Sequence, residues 1–367
     1  MLLLLLLAPV SAFLLAQESP EKRIERHFKT AQQAFEQEEY DRAESEYLTI
    51  LGIALDQLGA TYSALTDYEK AGSAYEQACR STIVNIQPYL GLGIIYLRTG
   101  RLEEGKQLLN KILEINPTNP EVKHLLGKYH YMEGDFRAAA RELRDALTAD
   151  PENIGIAYTL GVAYLQRKDK KKADEVFGLM LEQLGESAAL HVLLGRAYRQ
   201  TEYWNEALAE FQKAADLDPD YPRVHYNIGL TYVLWEGAGA YDRAEKELRI
   251  ELGNHPDLYL PNFYLGMILS MRHETEALDY LLKAVKLSPE NPDPYLYLGQ
   301  IYFRNSQYKE AVQVLNRSIE LTRNPARNKY QLSDVHFILG QSLIRLGRRE
   351  EARIHMEKAL SLIHITL

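Results

Sequence analysis

The sequence predicts an all-α protein, a stack of helix-turn-helix hairpins, and three observations carry the prediction. The pair Leu92-Gly93 recurs as Leu126-Gly127, Leu160-Gly161 and Leu194-Gly195, each 34 residues after the last. Inside one period, His191, Leu194, Gly195 and Tyr198 stand at i, i+3, i+4 and i+7, the spacing of one helix face. Trp204, Ala207, Phe211 and Ala214 lie on one face beyond a turn at 200–203, and Pro219 then ends the helix, because proline disfavours helix in the residue before it. Gly195 and Ala207 are small where the two helices approach, and the aromatic residues fill the space around them. A lone hairpin of this kind cannot cover its apolar faces, so each must stack on the next.

Taken in order, the first hairpin, near 24–51, is degenerate: Ala31, Tyr40, Ala43 and Tyr47 hold the marked places, and the next hairpin follows after only 28 residues. The second, 52–85, shows Leu58-Gly59, Tyr62, Tyr68, Ala71, Tyr75 and Ala78. Hairpins three to six (86–119, 120–153, 154–187, 188–221) keep the 34-residue step, three of them closed by Pro117, Pro151 and Pro219 and the fifth by Gly185. The seventh, 222–258, has a turn three residues longer than the others through Glu236–Ala240. The eighth, 259–291, has Leu265-Gly266 and a turn one residue short at His273-Glu274. The ninth, 292–325, carries Leu298-Gly299, and a longer linker at Arg323–Leu332 precedes the tenth, 333–366, with Leu339-Gly340. Hairpins fill almost everything after residue 16.

This pattern resembles the tetratricopeptide repeat (TPR) family, whose unit runs bulky residue, Leu-Gly, Tyr, Ala, aromatic, Ala and Pro. Residues 188–221 match nearly throughout, with His191 at the usual Trp site. The resemblance implies a right-handed superhelical solenoid of about ten TPR hairpins over 17–367, working as a protein-protein interaction scaffold rather than an enzyme.

The net charge of −9 gives a nucleic-acid role no electrostatic support. A single cysteine, Cys79, excludes an internal disulfide and a cysteine-built metal cluster. Met1–Ala16, MLLLLLLAPVSAFLLA, turns abruptly polar at Gln17, is short for a membrane span and ends in small residues. It reads as a signal peptide cleaved after Ala16 or Ala12, the alternative being an uncleaved N-terminal membrane anchor. Either reading expects an exported protein, periplasmic or secreted, with a membrane contact only if the segment is retained.

Constellations that could carry chemistry all have plainer readings. Ten histidines invite a metal site, but His191, His225 and His336 occupy one repeat position and read as packing residues, and no pair shows the i, i+4 spacing of a helical zinc site. Cys79 reads as a small apolar residue, and Gly237-Ala238-Gly239 as a lengthened turn, because no strand precedes it. The sequence therefore assigns no catalytic residue, no cofactor and no metal.

What remains is the groove that ligands occupy in the family this chain resembles, lined by first helices at repeat positions 2, 5, 6, 9, 12 and 13. Carried over, these positions hold the cations Arg98, Lys128, Arg196, Arg199, Arg223, Arg304 and Arg345 against the carboxylates Glu121, Asp293 and Asp334, a reversal of the overall sign. Tyr158, Tyr226, Phe263, Tyr264 and Tyr297 are interleaved, with Met267 and Met271. The mixture suits a protein or peptide segment that is acidic with aromatic or apolar residues, since arginine grips carboxylates in a fork and rings supply rigid contact area. The plainer reading is that some rings, Tyr226 and Phe263 above all, pack against the neighbouring hairpin. Two specialised modes of the family are not matched: Asn227 stands alone where a carboxylate clamp needs more, and position 6 holds Gly91, Leu125 and Thr159 rather than an asparagine ladder. The alternative function is a recruiting or accessory subunit of an envelope enzyme complex, such as a glycosyltransferase or protease. The last helix, with Leu360, Leu362, Ile363, Ile365 and Leu367, raises self-association through the C-terminus as a further expectation.

Overall fold

The computed structural model describes residues 18–81, 86–322 and 329–364, and divides into two compact units that meet in sequence between Gly185 and Glu186. The segment 1–16, most of the last linker, the side chain of Ile363, and Ile365 and Leu367 lie outside the described residues. Helices account for most of the described residues, and none of these is in a strand.

The first unit holds α1 (Pro20–Glu36), α2 (Tyr40–Ala64), α3 (Tyr68–Ser81), α4 (Gln87–Thr99), α5 (Leu102–Ile115), α6 (Pro120–Glu133), α7 (Phe136–Ala149), α8 (Ile154–Gln166) and α9 (Lys170–Leu184). The second holds α10 (Ala188–Gln200), α11 (Trp204–Leu217), α12 (Val224–Glu236), α13 (Tyr241–Asn254), α14 (Tyr259–Met271), α15 (Ala277–Leu287), α16 (Asp293–Arg304), α17 (Tyr308–Leu321), α18 (Lys329–Arg345) and α19 (Arg349–His364). The starts follow from capping chemistry. The side-chain oxygens of Asn119, Asp135 and Asn153 accept from the amides of Val122, Ala138 and Ile156 at 2.9, 2.9 and 3.2 Å.

Each hairpin turns on one left-handed residue, and that residue keeps the period: Thr66, Gly100, Gly134, Lys168 and Glu202 all have positive φ at 34-residue steps. Glycine meets that demand without strain, whereas a residue with a Cβ does not. The Leu-Gly pair has a packing cause. A Cβ at Gly161 would stand 2.2 Å from the Phe177 ring, so the second helix lays its bulkiest side chain directly on the first helix's glycine. Between hairpins, the fully buried Tyr129 fills the space over Gly105 and donates its hydroxyl to the Gly93 carbonyl.

Three departures from regularity have local causes. The expected break near residue 51 does not occur: Tyr40–Ala64 is one uninterrupted helix that serves as second helix of the first hairpin and first helix of the second. Residues 48–56, LTILGIALD, hold no proline to stop it, and the shortened 28-residue step leaves no room for a turn. The lengthened turn of the seventh hairpin closes as a single 3-10 turn, Gly237–Ala240. In the eighth hairpin the connection runs over residues 272–276, longer than the expected short turn, and α15 begins only at Ala277 and has 11 residues.

Within each unit the first helices also touch one another in series (α4, α6 and α8; then α10, α12, α14, α16 and α18), while successive second helices make no comparable contact among the described residues. The first helices therefore line the inner side of each unit's curve.

The histidines read as packing residues do pack, and they also form polar clasps between the two helices of a hairpin. His191 Nδ1 lies 2.7 Å from Glu210 Oε2, His225 Nδ1 lies 2.7 Å from Glu247 Oε2, and His27 Nδ1 lies 2.6 Å from Glu46 Oε2. In the last hairpin the partner is another imidazole, with His336 and His355 Nδ1 atoms 2.9 Å apart.

Candidate partner-binding faces

In the first unit the inner face carries three of the sequence-predicted residues, and the structure engages each differently. Arg98, on the last turn of α4, donates from Nη1 to the Tyr68 hydroxyl at 3.1 Å and lies over that ring. Lys128 is only 9% exposed, and burial draws its amine down to about 8. One turn before it, burial and then the Lys128 charge hold the His124 imidazole well below its usual pKa, and its Nε2 stands 3.3 Å from Thr159 Oγ1. That hydroxyl already donates to the Gly155 carbonyl at 2.7 Å, so it accepts from an Nε2–H tautomer. Tyr158 is buried. This face is polar but largely occupied by its own contacts.

The second unit is different. Rings on α12, α14 and α16 form a continuous run: Tyr226 to Tyr264 with centroids 5.9 Å apart, Tyr264 to Phe263 at 5.2 Å, and Phe263 to Tyr297 at 5.8 Å. Tyr259, at the start of α14, stacks on Phe263 at 6.0 Å. Tyr226 and Phe263 are buried and form the floor, as the plainer reading expected, so they reach no ligand themselves. Tyr264 and Tyr297 are half-buried above them.

One end of this run is basic. Burial, and next the neighbouring Tyr264, raise the Tyr226 phenol pKa, while Arg199, Arg223 and Arg196 pull it down, which puts three guanidinium groups within electrostatic reach of one ring. The other end is acidic: beyond the effect of burial, Asp293 raises the phenols of Tyr259 and Tyr264, and Tyr241 followed by Asp293 raises that of Tyr297, to about 12. The basic end has a built foundation. Glu251 of α13, 1% exposed, accepts from the amides of Arg223 at 2.7 Å and Tyr226 at 3.1 Å. It thereby caps α12 and holds Arg223 at a φ of 72°.

The predicted cations are not equivalent. Arg199 donates to the Asn227 carbonyl at 3.2 Å and lies over Phe211. Arg304 donates to the Ser270 carbonyl at 2.8 Å and to its hydroxyl at 3.0 Å, which makes it a cap on the end of α14. The side chains of Arg223 and Arg345 are exposed. Sequence reasoning passed over Leu234, Phe337 and Ile344, which are all exposed at groove positions of their hairpins. Apolar residues at those positions read as packing, and the repeat register alone could have marked them.

A chain whose described residues form stacked helical hairpins is an α-hairpin repeat protein. The pattern described as Tetratricopeptide repeat matches residues 62–129 and 130–197, and TPR repeat matches 195–234. The pattern described as Anaphase-promoting complex, cyclosome, subunit 3 matches 270–359. The chain belongs to the tetratricopeptide repeat family. It is 25% identical over 288 residues to Protein CTR9 homolog of Arabidopsis thaliana, covering 73% of this chain and 26% of that one. It is 27% identical over 199 residues to Anaphase-promoting complex subunit 3 of Schizosaccharomyces pombe, covering 53% and 28%. It is 24% identical over 321 residues to the BBSome complex member BBS4 homolog of Drosophila melanogaster, covering 75% and 64%. The chain thus spans between about a quarter and two thirds of these relatives' lengths. Among solved structures, a tetratricopeptide repeat protein from Parabacteroides merdae superposes with a TM-score of 0.46 at 15% identity, covering 77% of this chain and 98% of that one.

Proposed function

We propose that the chain is a non-enzymatic scaffold that holds an extended partner segment along the first-helix face of residues 186–367. The acidic part of that segment lies against Arg196 and Arg223, and its aromatic or apolar part on Tyr264, Tyr297 and the exposed Met271. The observation that carries this reading is the ring run with a three-arginine cluster at one end. Rings offer large contact area at little entropic cost, and guanidinium groups pair carboxylates in two-pronged contacts. Arg304 and Arg199 contribute by fixing the face, Arg345 by extending its charge.

Binding of fluorescent peptides that place Asp or Glu two to four residues from Phe or Leu tests this, with scrambled and all-basic peptides as controls. Arg196→Glu with Arg223→Glu leaves the Arg304 cap intact and is expected to weaken acidic-aromatic binding about tenfold or more. Equal binding by wild type and variant removes the face from consideration.

A second reading is favoured by the relatives' names, which describe a complex subunit and a complex member. The chain then works as a recruiting or accessory component of a larger assembly, and catalysis, where there is any, belongs to other subunits. Export remains part of the proposal on the strength of the residue pattern of 1–16 alone, and the N-terminal sequence of the native protein tests it.

A further inference from the structure

The first-helix face of residues 186–367 carries opposite charges at its two ends. Arg223, Leu260, Asp293 and Asp334 are the second residues of four successive hairpins; Arg223 caps α12, and the others lie on α14, α16 and α18. Equal repeat positions on first helices that touch in series form one row across the face. The row reads cation, apolar, anion, anion.

The rings beside the row report the same order. Tyr226 has Arg199, Arg223 and Arg196 within electrostatic reach. Burial and then Asp293 raise the Tyr264 phenol, while Arg199 lowers it. Burial, then Tyr241, Asp293, Tyr264 and Asp334, raise the Tyr297 phenol. Among ionic side chains, the first ring thus feels arginines, the second both signs and the third carboxylates.

Neither end is neutralised from within. Among the described residues, no cation forms an ion pair with Asp293 or Asp334, and no carboxylate with the Arg196 or Arg223 guanidinium. Asp293 Oδ1 accepts from the neutral amide of Gln331 at 3.0 Å, and Asp334 is exposed. The arginines of α16 and α18, Arg304 and Arg345, stand on the last turns of those helices, about 16 Å along the axis from the two carboxylates.

We propose that Asp293 and Asp334 form a second subsite of this face, which takes a basic side chain of the bound segment. The partner is then an extended peptide carrying an acidic residue, an apolar or aromatic residue and a Lys or Arg, in that order along the row. This rests on the groove reading above and supplies the chemistry of the segment's other end. Arg223 and Asp293 are two first-helix steps apart, about 16–20 Å at roughly 8–10 Å a step. An extended chain covers that in about five or six residues, and reaches Asp334, one step further, in about seven to nine. Opposite charges at the two ends also fix the register, because a segment laid the wrong way brings like charges together at both.

Fluorescence anisotropy of the full chain with peptides of about nine residues is the test. Each peptide has Asp-Glu at one end and Phe or Leu in the middle, with Lys-Arg, Gln-Gln or Glu-Glu at the other end, and each is made in both chain directions. In at least one direction the Lys-Arg peptide is expected to bind about fivefold more tightly than the Gln-Gln peptide at low salt, and the Glu-Glu peptide more weakly still. Asp293→Asn/Asp334→Asn is expected to erase the Lys-Arg advantage. Asp293→Lys/Asp334→Lys is expected to reverse it in favour of Glu-Glu, a gain that a misfolded chain does not produce. A Lys-Arg advantage that survives both pairs of substitutions overturns the proposal, since the base then sits elsewhere. If Lys-Arg adds nothing, while the Gln-Gln peptide binds and is weakened by Arg196→Glu/Arg223→Glu, the second subsite falls and the groove reading stands. No binding by any peptide removes both.

Discussion

Lys128 shows what one residue's surroundings can do to its chemistry. Its stem is buried on the inner face of α6, and burial alone brings the amine to about 8, where a comparable surface lysine would still hold its proton. Acylation with a small reagent, followed by mass spectrometry, is expected to give Lys128 a half-maximal rate near pH 8, whereas a lysine in a short model peptide is still rising there. A Lys128 profile identical to that of the model peptide contradicts the assignment. The sign for stability follows: the unfolded chain binds the extra proton between about 8 and the ordinary lysine value, so Lys128 makes folding more favourable as pH rises through that window. Cys79 stands at the other extreme, its thiol pushed up to about 12 by burial and then by Asp56 and Glu76, which agrees with its reading as an inert small residue. Cys79 was legible because a lone cysteine in a helical repeat has few roles. The burial of Lys128 was not, because an isolated charge at a groove position reads as solvated until the neighbouring hairpin is in place.

At the scale of the element, the turns and clasps set stability. Thr66 sits at a φ of 60° in a turn where Gly100 and Gly134 occupy the same place without strain. A β-branched residue is the least suited to that conformation, so Thr66→Gly is expected to stabilise the second hairpin by about 0.5–1 kcal/mol, read as a shift in the denaturation midpoint at constant slope. The histidine clasps respond to acid in opposite directions. Glu247 raises the His225 pKa, so this clasp is fully present below about 6.5 and is lost as pH rises through the raised value. His336 is lowered to about 4 by burial and by His355, so its hairpin is stable above about 6.5 and weakens as pH falls toward 4. Hydrogen exchange, corrected for the intrinsic rate, is expected to slow in α12 and α13 and quicken in α18 and α19 on going from neutral pH to about 5. Changes of the same sign in both pairs would refute the assignment. The 34-residue step was legible in the sequence because it repeats. The clasps were not, because each pairs residues about twenty positions apart on helices whose relative rotation is fixed only by packing.

For the molecule as a whole, a chain of hairpins has no central core, and its stability is close to a sum of hairpins and their nearest-neighbour contacts. Leu160, 2% exposed on α8, tests this: Leu160→Ala is expected to cost about 2–5 kcal/mol. The loss is expected in α6–α9, with exchange in α16–α19 little changed, and a uniform loss along the chain would show a cooperative core instead. The hairpin order and the candidate face were legible from repeat register. Which cations on that face are free for a ligand was not, since Arg304 and Arg199 hold carbonyls of neighbouring first helices that only the folded stack brings within reach.

The unbroken α2 has a mechanical meaning. Its 25 residues make a strut about 37 Å long that belongs to two consecutive hairpins at once. Hairpins three to five are joined by separate connections at 116–119 and 150–153, whereas the first two are welded. A load applied to the first hairpin is therefore carried into the second by bending a helix, not by swinging a joint. A spring with two coils fused transmits a pull between them instead of absorbing it.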